Sequence, residues 1–169
     1  MKKKLLFAIL ALVSLIMYSR DKKEPQVIFG PNYNYQVQSS GTAVAGTRTF
    51  MVWGIGKNVD KAVENAKRDA VAVCIFRGVP AEFGGQLTPA LCKDSEAEQN
   101  NLIYFNHFFA KDGPYLGFVN AITQGKPTGA DIRKIKNGYK VAIYVQVMYD
   151  NLKKQLIYDK IIQSLNSGF

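Results

Sequence analysis

Two hydrophobic periods succeed one another along this chain, and they change over at a pair of glycines. From Phe50 to Ile55 the residues are almost all apolar, the pattern of a short strand covered on both faces. Gly54 and Gly56 then permit a close backbone approach and a sharp change of direction, and Asn58 is a residue type that caps helix N-termini. From Val59 onward the apolar residues fall three and four apart, at Val59, Ala62, Val63, Ala66, Ala70, Val73 and Cys74. Asp60, Lys61, Glu64, Lys67, Arg68 and Asp69 take the opposite face. This predicts an amphipathic helix with ion pairs along its solvated side, lying close against a sheet through its alanines. Gly78 ends the helix and Val79-Pro80 prevents its continuation.

Upstream, Asn32 to Gln38 alternates polar residues with Tyr33, Tyr35 and Val37, the mark of a half-buried strand. Ser39 to Gly46 is rich in small residues. Downstream, Ala81 to Lys93 reads as a loop carrying Gly84-Gly85 and Pro89. Ser95 followed by Glu98 matches a capping box, and the helix it opens carries Leu102, Ile103, Phe105, Phe108 and Phe109 before Lys111-Asp112-Gly113-Pro114 stops it. Tyr115 to Ile122 is apolar but broken by Gly117 and has no clear period, and Gln124 to Gly129 is a loop. Asn137-Gly138, between 131–136 and 139–148, predicts a β-hairpin whose second arm points Tyr139, Val141, Ile143, Val145 and Val147 one way. Two registers stand open: a two-residue loop pairs Ile135 with Lys140, and a three-residue loop, favoured by the apolar match, sets Ile135 opposite Tyr139. Asp150 to Leu165 closes the chain as a helix seated by Leu152, Leu156, Ile157 and Ile161. The order predicts an α+β fold, a single domain with a largely antiparallel sheet and about three helices packed on it.

Composition changes this picture mainly at the N-terminus. The 169 residues are 47% hydrophobic and include ten Phe and nine Tyr, ample for one aromatic-rich core. The formal charge is +9, but Lys2, Lys3, Lys4 and Arg20 precede every acid; beyond residue 20, 18 basic residues face 13 acids, a balance of +5. These cations are dispersed, with Lys134, Lys136 and Lys140 the nearest to a cluster, which speaks against nucleic-acid binding. Residues 1–19 read as an export signal, because the apolar run from Leu5 to Met17 falls short of the ~20 residues of a membrane span. Residues 20–31 read as a polar tether, 32–165 as the domain and 166–169 as a tail. The basic start, the apolar run and the polar Asp21-Lys22-Lys23-Glu24-Pro25 resemble the leader of a bacterial lipoprotein, with Arg20 standing where that family carries its lipid-bearing cysteine. The resemblance implies an exported protein, periplasmic or envelope-associated, either cleaved and released or carrying an altered lipoprotein leader whose anchor was lost, which touches the membrane only through its leader if that is uncleaved or lipidated in a Cys-bearing form.

Little in the chain points to catalysis. His107, the one histidine, lies between Asn106 and Phe108 on the aromatic helix and reads as an ordinary surface or partly buried side chain. There is no HExxH, P-loop or nucleophile elbow, and Gly54-x-Gly56 lacks the third glycine of the dinucleotide fingerprint. No catalytic, cofactor-binding or metal residue is assigned, and Cys74 and Cys92 are too few for a structural zinc site. In an oxidising compartment these cysteines either form one disulfide, worth about 3 kcal/mol, or stand as two reduced thiols. Trp53 and the tyrosines could form a glycan- or peptide-binding patch, but Trp53, inside an apolar strand, reads rather as core.

The run Val52-Trp53-Gly54-Ile55-Gly56, followed by Ala62, Ala66 and Ala70, resembles the small α/β domain of bacterial surface lipoproteins and of the N-terminal part of flagellar accessory proteins, over residues 48–160. The Phe-rich second helix departs from that pattern. The resemblance implies a structural or assembly role at the envelope. The expectation is therefore a non-enzymatic protein without cofactors, offering an envelope protein partner a surface around the hairpin, at Lys134, Lys136, Tyr139 and Tyr144, where an uncovered sheet edge accepts a strand. The alternative is a ligand-binding domain with an apolar pocket between the Phe-rich helix and the sheet.

Overall fold

The computed structural model describes residues 24–39, 44–81, 87–122 and 127–163. The leader, the start of the tether, Gly84-Gly85 and the 166–169 tail lie outside the described residues. Five strands form one antiparallel sheet: β1 (Val37–Ser39), β2 (Arg48–Gly56), β3 (Val119–Ala121), β4 (Ile132–Ile135) and β5 (Gly138–Val147). Its order is β1-β2-β5-β3, with β4 also on β5. β5 pairs along its whole length with β2, from Gly56 opposite Tyr139 to Arg48 opposite Val147. Its other edge is shared, β4 taking 138–141 and β3 taking 145–147. The chain folds as a single α+β domain.

The helix α1 (Val59–Phe76) covers one face of this sheet. Asn58 caps it, its side-chain oxygen accepting from the Lys61 amide at 2.8 Å. The two glycines explain how close it lies. A Cβ at Gly54 would fall on the Ala62 carbonyl and the Ala66 amide and 2.8 Å from Ala66 Cα, so backbone meets backbone there. Ala62, Ala66 and Ala70 are fully buried against Phe50, Val52, Val141 and Val145 in one core. At its far end α1 is buried on every side, from Asp69 to Ile75. Residues 87–92 fold back over it, and the amides of Leu91 and Cys92 donate to the carbonyls of Cys74 and Ile75 at 3.0 and 2.8 Å, satisfying acceptors a helix end otherwise exposes.

The helices α2 (Ala97–Asn100), α3 (Leu102–Phe108) and α4 (Tyr149–Tyr158) group around that buried half. Phe76 meets Phe105 edge-on at 4.9 Å, and the Tyr149 hydroxyl donates to the Pro89 carbonyl. The expected second helix is thus broken at Asn101, and Ser95 does not cap it. Asp94 accepts from the Glu96 amide instead, and Glu98 turns inward to another segment. The apolar stretch without a clear period is a 3₁₀ turn (Pro114–Phe118) leading into β3. The last helix stops at Tyr158, seven residues early. Lys160 adopts φ +60° and the amides of Ile161 and Ile162 fold back onto the Leu156 carbonyl.

Two further expectations are corrected. Ile135 stands opposite Gly138, not Lys140 or Tyr139, so the hairpin turns on Lys136-Asn137. Gly138 opens the strand because its Cα, at φ +146°, packs on the Gly56 carbonyl and leaves no room for a side chain. The part of the tether within the described residues is no tether either: Phe29 is 3% exposed, and its ring lies 4.8 Å from Phe109 and 5.0 Å from Tyr33. Among the described residues, no helix is long and apolar enough to cross a membrane.

Candidate functional site

Period-two alternation gives the sheet two unlike faces. Phe50, Val52, Gly54, Val141, Ile143 and Val145 face α1, so Met51, Trp53 and Ile55 on β2 and Lys140, Ala142 and Tyr144 on β5 face the other way. No described helix packs broadly on that outer face. Ile55 and Tyr144 are 52% and 46% exposed there. Trp53 is half-buried under its own neighbours: the Arg133 guanidinium lies 5.2 Å and the Lys140 ammonium 4.9 Å from its ring centroid. Each such contact is worth about 0.5–1 kcal/mol at an exposed site. None of the strand residues on this face is acidic. The result is an aromatic and aliphatic surface with a cationic end.

The residues expected to form the interaction surface do not share one face. Tyr144 belongs to the outer face, but Tyr139, five positions earlier on β5, points to the inner side and packs against the core. Lys134 pairs with Tyr139, and Lys136 lies in the turn. Trp53, read from sequence as core, and Arg133, not singled out at all, are what the fold adds. A signal for Trp53 was present: if Gly54 must face the alanine-lined helix, its neighbour must face away. The edges offer a partner strand little, since β1 and β3 are three residues long and β4 four.

A second concentration of chemistry lies beside α1. The Glu98 carboxylate accepts from the amides of Ile28 (2.6 Å) and Phe29 (2.8 and 3.1 Å), and Arg77 donates to the Pro31 carbonyl at 2.7 Å. Asp69, expected on the solvated side of the helix, is 7% exposed and accepts from the Tyr33 hydroxyl at 2.9 and 3.0 Å. Burial pushes its carboxyl up to about 6, against the opposing pull of the Tyr33 hydrogen bond and the Arg68 charge. Burial likewise raises Glu98, with the two backbone amides pulling the other way. The Tyr35 hydroxyl and Arg68 Nε are buried without a hydrogen-bond partner among the described residues. The expected ion pairing survives elsewhere on α1, where Lys61 meets Glu64 at 2.7 Å.

Cys74 and Cys92 are buried free thiols, not a disulfide. Desolvation pushes them up to about 12 and about 11, so both stay protonated. His107 is exposed on α3. Among the described residues no group of three or more His, Cys, Asp or Glu is placed to hold a metal. The space between the Phe-rich helix and the sheet is filled by Phe105, Phe108, Phe109 and Tyr115. Cavities open elsewhere: about 730 Å³ between residues 89–94, α4 and Ile161–Gln163, about 460 Å³ beside His107 toward α4, and about 440 Å³ under residues 27–31. No protein-family model, curated protein or solved structure matches the chain.

Proposed function

We propose that this is a non-enzymatic, envelope-associated domain that docks an envelope protein through the outer face of its sheet. The leader pattern supports export, and the outer face supports docking. The observation that carries the proposal is Trp53 lying under Arg133 and Lys140 in a sheet whose strands carry no acidic residue. Such a surface complements a partner segment that is both acidic and apolar: the cations steer and orient it, while Met51, Trp53, Ile55 and Tyr144 supply area to bury.

A photo-crosslinking side chain placed at Tyr144 in cells tests this, with the same probe at Tyr158, 82% exposed on α4, as reference. The expected product forms at position 144 only and maps to an acidic segment of one envelope protein. Lys140→Glu with Arg133→Glu should lower its yield about tenfold, the scale of 1.4 kcal/mol, and charge reversal in the partner segment should restore it. Equal yields at both positions, or indifference to charge reversal, would refute the docking. The mass of the mature N-terminus tests the export half: an intact Met1 without envelope association removes it.

A further inference from the structure

The cavity under residues 27–31 is built from parts that no docking on the far side of the sheet would use. Its floor and walls are aromatic, from Phe29, Tyr35 and Phe76, and its rim is acidic, from Asp94 and Glu96. At about 440 Å³ it lies within the roughly 300–1,000 Å³ of small-molecule sites. Its outer wall is held in place: Glu98 grips the amides of Ile28 and Phe29, and Arg77 grips the Pro31 carbonyl. A space lined this way is kept open by its own polar fastenings, whereas the interior beside α1 is closed by alanines.

The charges select the ligand. Arg77 is the one cation of the lining, and it is turned to the wall, its guanidinium bonded to Pro31 and 5.9 Å from the Tyr35 ring. Asp94 is tied to the Glu96 amide and the Asn100 side chain, and the Glu96 carboxylate makes no hydrogen bond or ion pair with any described residue. An entering anion would meet the Asp94 and Glu96 carboxylates. An entering ammonium would meet Glu96 and Asp94 at the mouth and aromatic rings below. We infer that this cavity binds an organic cation with an aromatic or apolar body, an arylalkylamine in the simplest case.

Tyramine, its carboxylate analogue 4-hydroxyphenylpropionate and its neutral analogue tyrosol provide the test, titrated into the isotopically labelled full chain and followed by amide NMR. Tyramine should bind saturably at submillimolar concentration, shifting the amides of Ile28, Phe76 and Gln99. The anion and the alcohol should bind at least tenfold more weakly. Glu96→Gln, at an exposed side chain that bonds to no described residue, should weaken tyramine at least fivefold while leaving the spectrum otherwise unchanged. Equal binding of the three compounds, an unaffected Glu96→Gln variant, shifts mapping to another part of the domain, or no saturation up to the solubility limit would each overturn the assignment. None of these outcomes bears on the outer face of the sheet, so the two proposals fail separately.

Discussion

Replacing Gly54 by alanine adds one methyl group at the point where α1 touches the sheet. That Cβ would fall far inside van der Waals contact of the Ala62 carbonyl oxygen and the Ala66 amide nitrogen and 2.8 Å from Ala66 Cα. Ordinary contact begins near 3.4 Å, and these are helix backbone atoms, which have no rotamer to retreat into. The whole first half of α1 must therefore lift by about 1 Å. A gap of 0.5–1 Å forfeits a quarter to a half of each dispersion contact, and Ala62, Ala66, Phe50 and Val52 all lie in the affected interface. Overpacking of this kind costs about 1–3 kcal/mol, and the rigid neighbours place Gly54→Ala at the upper end. Gly117→Ala is the internal reference, because a Cβ there meets nothing within 4 Å, and it should stay within about 0.5 kcal/mol of the parent. Urea unfolding followed by far-ultraviolet circular dichroism measures both. With slopes of about 1–3 kcal/mol/M, a loss of about 3 kcal/mol moves the midpoint down by about 1–3 M. A Gly54→Ala midpoint matching that of Gly117→Ala would mean that α1 does not rest on β2 as described.

Asp69 makes stability depend on pH in an unusual sense. Its folded carboxyl is raised from 3.8 to about 6, so the folded state holds the proton more tightly. Its contribution is complete below about pH 4 and is lost as pH rises through 6, a difference of up to ~3 kcal/mol. Relative to the parent, Asp69→Asn should gain stability between pH 4 and 7 while still accepting from Tyr33; parallel stability curves across that range would contradict the burial. Glu98→Gln should loosen residues 28–29 at a cost of about 1–3 kcal/mol, read as faster hydrogen exchange at the Ile28 and Phe29 amides, and unchanged protection would show that the carboxylate does not hold them. Both cysteines should ignore a thiol reagent at pH 8 in the folded chain and titrate as two thiols once it unfolds without reductant. Fewer than two would reveal a disulfide.

Where local pattern and local chemistry agree, the fold is legible in the sequence. The strand at Phe50–Ile55, the Asn58 cap, the alanine stripe and the stop at Gly78 all reappear, because each depends on residues within one or two turns of one another. The hairpin is legible for the same reason, but its register is not: that was set by Gly138 packing on Gly56, a contact between strands far apart in sequence. Glu98 has the look of a capping-box acid and Asp69 of a surface acid. Their partners, Ile28, Phe29 and Tyr33, lie 70, 69 and 36 positions away, beyond the reach of any local motif.

The candidate surface divides along the same line. Alternation along β5 already separates Tyr139 from Tyr144, and alternation along β2 ties Trp53 to the side opposite Gly54. Residue order was thus enough to say which side chains share a side of their own strand. It could not say which side the helices would leave bare, nor that Arg133 and Lys140 would meet over the Trp53 ring. Periodicity records the direction of a side chain relative to its own backbone. What arrives to cover it, or to bond with it, is settled when distant segments compete for the same buried space.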